Sequence, residues 1–124
     1  MTNYRNGIAY ERRIMRELSA QGALAVFRSA GSHGPVDVIA VFDHGVYGIQ
    51  VKTVRGKGQS VSKEDIDKVN VFAALMKDSM RVRLYAYMIK GNTSTQYIYD
   101  PGEQRWFLNA TSGVRLISQP PKND

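Results

Sequence analysis

The sequence predicts an α/β fold, a mixed β-sheet flanked by helices, on three observations. A pattern of helical period opens the chain. Short segments rich in Val, Ile and Tyr follow, punctuated by Gly, Asn and Pro, and a second helical pattern interrupts them after Ser62. The order is helix, strand, hairpin, helix, strands, with no repeat and no linker. A single domain is therefore expected over residues 1–118, with 119–124 a disordered tail. A chain of 124 residues is long enough to bury one core.

Composition narrows the function classes. With no cysteine, disulfides and thiolate metal sites are excluded, and two histidines are too few for a typical zinc centre. A metal here would be a hard ion held by oxygen. No apolar run approaches the roughly 18 residues that span a bilayer, and the first residues lack a secretory signal, so a cytoplasmic protein is expected. Lys and Arg number 17 against 11 Asp and Glu, a formal charge of +6. That balance favours a polyanionic partner, nucleic acid first.

Tyr4 to Gln21 is predicted as a helix, with Ile8, Ile14, Met15 and Leu18 on one stripe at about 100° per residue. Glu11 falls in the middle of that stripe, where an unpaired charge is costly. It either pairs with a cation, Lys52 being a candidate, or binds one. Arg5, Arg12 and Arg16 form a ridge beside the stripe, with Arg13 further round. Gly22 can end the helix, and Leu24 to Ser29 reads as a short buried strand. Ala30 to Pro35 is then a small-residue loop that backbone or phosphate can approach closely.

Val36 to Val54 reads as a hairpin turning at Asp43-His44-Gly45. A two-residue His44-Gly45 loop, or a four-residue loop from Asp43 to Val46, pairs Phe42 with Tyr47 and sets Asp37 opposite Lys52 and Ile39 opposite Gln50. Side chains alternate along a strand, so Asp37, Gln50 and Lys52 share one face. An odd loop would turn Asp37 to the other face. Beyond it, Arg55 to Gln59 is a glycine-loosened basic loop. Ser62 with Asp65 resembles a helix N-cap box. The helix it opens presents Ile66, Val69, Ala73 and Met76, with Phe72 and Leu75 alongside, as a core or partner face. Strands are predicted at Arg83–Lys90 and Thr95–Asp100, joined across Gly91-Asn92, then at Arg105–Leu108 and Val114–Ser118.

Glu11, Asp37, Gln50 and Lys52 thus offer two carboxylates, an amide oxygen and a lysine. The oxygens suit Mg²⁺ or Mn²⁺. Such an ion activates water and offsets charge on a phosphodiester, while a lysine stabilises the developing negative charge. No histidine base or serine nucleophile is evident, and the glycines form no dinucleotide or P-loop fingerprint.

Asp37 followed by Gln50-Val51-Lys52 resembles the split motif of the PD-(D/E)XK nuclease superfamily, with Pro35-Val36-Asp37 standing where its proline is displaced. Tyr4-Arg5-Asn6-Gly7, Glu11-Arg12, Phe27-Arg28-Ser29-Ala30-Gly31-Ser32 and Val36-Asp37 together resemble the archaeal-type Holliday-junction resolvases, over residues 4 to 54. The resemblance implies a restriction-endonuclease-like mixed sheet. It implies a homodimer that resolves four-way DNA junctions by paired symmetric nicks, with Mg²⁺ as cofactor and Mn²⁺ as a substitute. Carried over, Glu11, Asp37, Gln50 and Lys52 are catalytic, and Glu11, Asp37, Gln50 and Val51 form the metal set. Ser32 and the loop around it, including His33, would contact DNA, as would Arg12 and Arg28. Charge placement adds Arg5, Arg13, Arg55 and Lys57.

One departure stands out: the family usually has a second acid where this chain has Gln50. The site loses a negative charge, so metal affinity should fall and Mn²⁺ should be favoured. Two alternatives remain open: a superfamily nuclease acting on flaps, nicks or linear DNA, and a non-catalytic nucleic-acid binder that keeps the fold. A dimer needs an apolar surface, for which Phe72, Met76, Trp106, Phe107 and Leu108 are candidates. They would serve equally as monomer core.

Overall fold

The computed structural model describes residues 2–29 and 34–123, excluding the side chains of residues 2–6. The elements run α1 (Thr2–Ala20), β1 (Ala25–Arg28), β2 (Val38–Phe42), β3 (Gly45–Arg55), α2 (Lys63–Met76), β4 (Arg81–Lys90), β5 (Thr93–Asp100), β6 (Arg105–Ala110) and β7 (Gly113–Ile117). The strands form one sheet in sequence order. Every neighbouring pair is antiparallel except β3 and β4, which are parallel and joined by α2. Only a parallel pair requires a crossover connection, so α2 lies on the sheet because β3 and β4 run the same way.

The two helices cover opposite faces. Ile14 and Leu18 of α1 pack with Val38, Ala40, Ile49, Val51, Tyr87 and Ile89. Val69 of α2 packs with Val82, Leu84, Ala86, Tyr99 and Trp106. Alternation along β3 therefore sends Ile49 and Val51 to the α1 side and Gln50 and Lys52 to the α2 side. The helix ends follow local chemistry. Gly22, at φ +104°, closes α1 as Ala23 N–H donates to Leu18 O and Gly22 N–H to Ser19 O. The Ser62 hydroxyl caps α2 by accepting from Asp65 N–H at 3.1 Å.

Several expectations are corrected. The strand predicted as buried at Leu24–Ser29 is β1, an edge strand with Phe27 half-exposed, because only β2 pairs with it. The hairpin turns at Asp43-His44, so Phe42 pairs with Gly45, Ala40 with Tyr47 and Val38 with Ile49. The loop is still two residues long. Asp37 keeps its face, but its position is now opposite Gln50 and not Lys52. Trp106 is buried in the α2-side core with Phe72 and Met76 packed against that core, so these three fill the monomer. The large apolar side chains left exposed include Val71 and Leu75 on α2 and Val114 and Leu116 on β7. Residues 119–123, expected to be a disordered tail, lie against the sheet with Pro121 and Asn123 buried.

Gly48 permits a close approach. A Cβ there would overlap Met80 Sδ, just beyond α2, and lie 3.1 Å from Val36 Cγ1. Gly48→Ala is expected to destabilise the protein by about 1–3 kcal/mol through overpacking. The cost should shrink in a Met80→Ala background, as read by urea denaturation of both single variants and the double.

Candidate active site

The site begins where β2 parts from β3. The ladder ends at Val38–Ile49 and the Asp37 N–H bond to Ile49 O, after which β3 continues to Arg55 without a β2 partner. The N–H of Val51 would be orphaned there. Instead it donates to Asp37 Oδ2 at 2.8 Å, and Gln50 Nε2 donates to the same oxygen at 2.9 Å. Among the described residues, Oδ1 takes no hydrogen bond and is the carboxylate atom left for a ligand. Asp37 is only 7% exposed. Burial raises its pKa above the usual carboxylate value; the Val51 N–H opposes this, the Glu11 charge adds to it, and Lys52 and Arg28 oppose it.

Glu11 reaches Asp37's surroundings from α1. Its carboxylate accepts from Arg28 Nε at 2.9 Å, and its side chain is 14% exposed. The cation it pairs with is therefore Arg28 on β1, not Lys52. Lys52 pairs with Asp65 Oδ1 on α2 at 3.4 Å. Gln50, Lys52, Asp65, Lys68 and Val69, with Gly34 and Pro35, line a cleft of about 510 Å³ between β3 and α2. A larger cleft of about 610 Å³ lies elsewhere, between α2 and Trp106, and holds none of the four catalytic candidates.

Among the described residues, no group of three or more His, Asp or Glu side chains could cage a metal. The donor set still fits a small hard ion. Such ions take one or two carboxylates and keep several waters, and Asp37 Oδ1, Glu11 and the Gln50 carbonyl oxygen are the oxygens this site could offer one. Val51, expected in the metal set, contributes its N–H to Asp37.

The expected DNA contacts divide. Arg12 is exposed on α1, Arg55 is exposed at the end of β3 and Lys57 just beyond it. Arg13 is engaged, bonding Glu17 and Ser94 at 3.4 Å each and lying over the Tyr87 ring. Arg28 is held by Glu11. Ser32, His33 and the Arg5 side chain lie outside the described residues. Asp65 and Lys68 were not anticipated. Asp65 was visible only as a capping residue, since its contact with Lys52 depends on where the crossover lays α2.

A mixed sheet with a buried carboxylate at a strand fork, and an amide and a lysine alternating along the next strand, is the architecture of a metal-dependent nuclease. Residues 2–92 match the family model of the archaeal Holliday junction resolvases, Hjc, and the chain belongs to that family. Its members are metal-dependent endonucleases acting on Holliday junctions. The fold is similar to that of Hjc, a Holliday junction resolvase from Archaeoglobus fulgidus, at TM-score 0.55 and 19% identity, covering 92% of this chain and 84% of that one. No curated protein matches the sequence.

The raised pKa of Asp37 has a sign that can be tested. In metal-free protein the folded state favours the protonated acid. Stability from this group is present below the unfolded value of 3.8 and is lost as pH rises through the folded value. Asp37→Asn, which can still accept from Val51 N–H, should be more stable than wild type at neutral pH without metal. The gap should close on acidification, measured by denaturation across pH. Cleavage by the variant should fall by more than the roughly 10–100-fold typical of losing an outer-shell partner.

Proposed function

We propose that this chain resolves four-way DNA junctions by hydrolysing phosphodiesters at the β2–β3 fork, as a homodimer with Mg²⁺ as its cofactor and Mn²⁺ as a substitute. The observation that carries the reading is Asp37, a buried carboxylate fixed through one oxygen by Val51 and Gln50. Asp37, Glu11 and Gln50, with the backbone carbonyl of Val51, would hold the ion, which supplies an activated water and offsets phosphate charge when bound. Gln50 has two jobs: its N–H orients Asp37 and its carbonyl oxygen serves as ligand. Arg28 holds Glu11, so the two acids do not face each other uncompensated. Lys52, kept in the cleft by Asp65, stabilises negative charge developing on the phosphate. Arg12, Arg28, Arg55 and Lys57, with Arg5, Ser32 and His33, are the proposed DNA contacts. The reading places the protein in the cytoplasm, where its DNA substrate would be.

A four-way junction presents two equivalent strands, and one chain offers one such site. Paired nicks therefore call for a twofold assembly. Val71 and Leu75, exposed on α2, are candidates for its surface along with Phe107 and Leu108.

Paired symmetric nicks in a synthetic four-way junction with Mg²⁺ or Mn²⁺, absent in EDTA and in Asp37→Ala, are the expected result. Cutting the component duplexes as fast as the junction would identify a less selective nuclease. Junction binding without cleavage under either metal would identify a binder that keeps the fold. A further variant probes the amide. Gln50→Glu restores a charge but cannot donate to Asp37 when ionised. It should lower the metal concentration for half-maximal cleavage by about tenfold, equivalent to roughly 1.4 kcal/mol. It should also destabilise the metal-free protein, because two carboxylates then share one site.

A further inference from the structure

The segment that ends at Asn123 lies beyond residues 2–92, which the family model matches, and its placement is specific. Asn123 is 6% exposed. Its side-chain amide donates to Val54 O at 3.2 Å and Ile89 O at 2.9 Å, the carbonyls near the ends of the parallel strands β3 and β4. Its N–H donates to Gln59 O at 2.8 Å, and its carbonyl accepts from Gly58 N–H at 2.6 Å. Both amide hydrogens are thus spent on strand-end carbonyls, and both backbone groups grip the basic loop after β3. Within the loop, Gly56 and Gly58 have φ of +93° and +78°, conformations that glycine adopts without strain. The loop's own backbone bond, Gln59 N–H to Gly56 O at 3.2 Å, closes it internally, whereas the two bonds to Asn123 tie it to the strand ends.

That loop borders the site. Lys52, Thr53, Val54 and Arg55 share a groove with Gln59, Ser60, Val61, Ser62 and Asp65. Arg55 and Lys57 are exposed on this stretch, and Ser62 caps the helix that supplies Asp65 to Lys52. We propose that Asn123 is a positioning residue for DNA: it joins the ends of β3 and β4 and holds the Arg55–Gln59 loop so that Arg55 and Lys57 meet the phosphate backbone beside the catalytic cleft. The chemistry recognised is the phosphodiester backbone and carries no sequence preference. The proposal rests on the nuclease reading for its substrate, but the grip on the loop can be measured without it.

Asn123→Ala should speed hydrogen exchange at the Gly58 amide while leaving that of the β4 interior unchanged. Junction affinity in EDTA should fall roughly 3- to 10-fold, and the slope of log affinity against log salt should shrink by about 1–2, the signature of one or two lost phosphate contacts. Cleavage at saturating junction should stay within about twofold, since the metal-holding groups are untouched. In an Arg55→Ala/Lys57→Ala background, Asn123→Ala should change affinity little, because the residues through which it acts are gone. If alanine destabilises the whole domain, Asn123→Ser, which keeps one donor, gives the same pattern at smaller size. Loss of exchange protection with unchanged affinity and salt slope would overturn the proposal, as would an effect fully additive with the loop substitutions. Wild type that binds no junction would overturn the nuclease reading instead, and exchange at Gly58 would still report the grip.

Discussion

Where β2 leaves β3, the N–H of Val51 has no strand to bond, and the carboxylate of Asp37 takes the strand's place at 2.8 Å. An unsatisfied buried N–H costs about 1–3 kcal/mol, so the ladder itself requires an acceptor at this point. Supplying it with a carboxylate places a negative group inside the fold, under a burial that raises its pKa. Much of the site compensates that choice. The Gln50 amide shares the same oxygen, and the Lys52 and Arg28 charges oppose the shift. A strand end that needs an acceptor thus fixes the buried carboxylate of the candidate site.

The sheet carries the site at the boundary between its two covered faces. Gln50 and Lys52 look toward α2, whereas Glu11 comes from α1, whose apolar side covers Ile49 and Val51. Asp37 can be approached from both sides because it stands at the fork, where β2 no longer shields the edge of β3. Among the described residues, each cation in the immediate site is matched by an acid, Arg28 by Glu11, Lys52 by Asp65 and Lys68 by Glu64. The excess positive charge of the chain must lie elsewhere, and exposed Arg12, Arg16, Arg55 and Lys57 carry part of it. The charged groups of the candidate site are paired while exposed residues around it stay basic, an arrangement suited to a polyanion.

What could be read from the sequence follows the range of each interaction. Alternation is a two-residue property, so the common face of Asp37, Gln50 and Lys52 survived a turn displaced by one residue. Both turns have two residues, and the shift moved the opposing partner by two positions without changing its side. The stripe on α1 and the cap at Ser62 are equally local, and both were legible. Glu11's partner was not, because Arg28 reaches it only once β1 is laid beside α1. Asp65 illustrates the same limit, since its contact with Lys52 exists only through the crossover. Gln119 to Asn123 reads as polar and proline-rich. Its docking depends on carbonyls left by two strands that end together, a feature of register that no local pattern encodes.

Gln50 is the position where these constraints meet. Its partner is a carboxylate, so a side chain able to donate is favoured while Asp37 is ionised, and its cleft-facing atom must accept if it is to serve a cation. An amide is the group of that length that does both. An acid there would add charge for the ion but, without one, would stand beside a carboxylate already destabilised by burial and by Glu11. The amide therefore stabilises the metal-free fold at the expense of the ion's electrostatic hold. That trade follows from the hydrogen bond at 2.9 Å between Gln50 and Asp37. Metal affinity and metal-free stability are therefore the two quantities that the residue at position 50 should trade against each other.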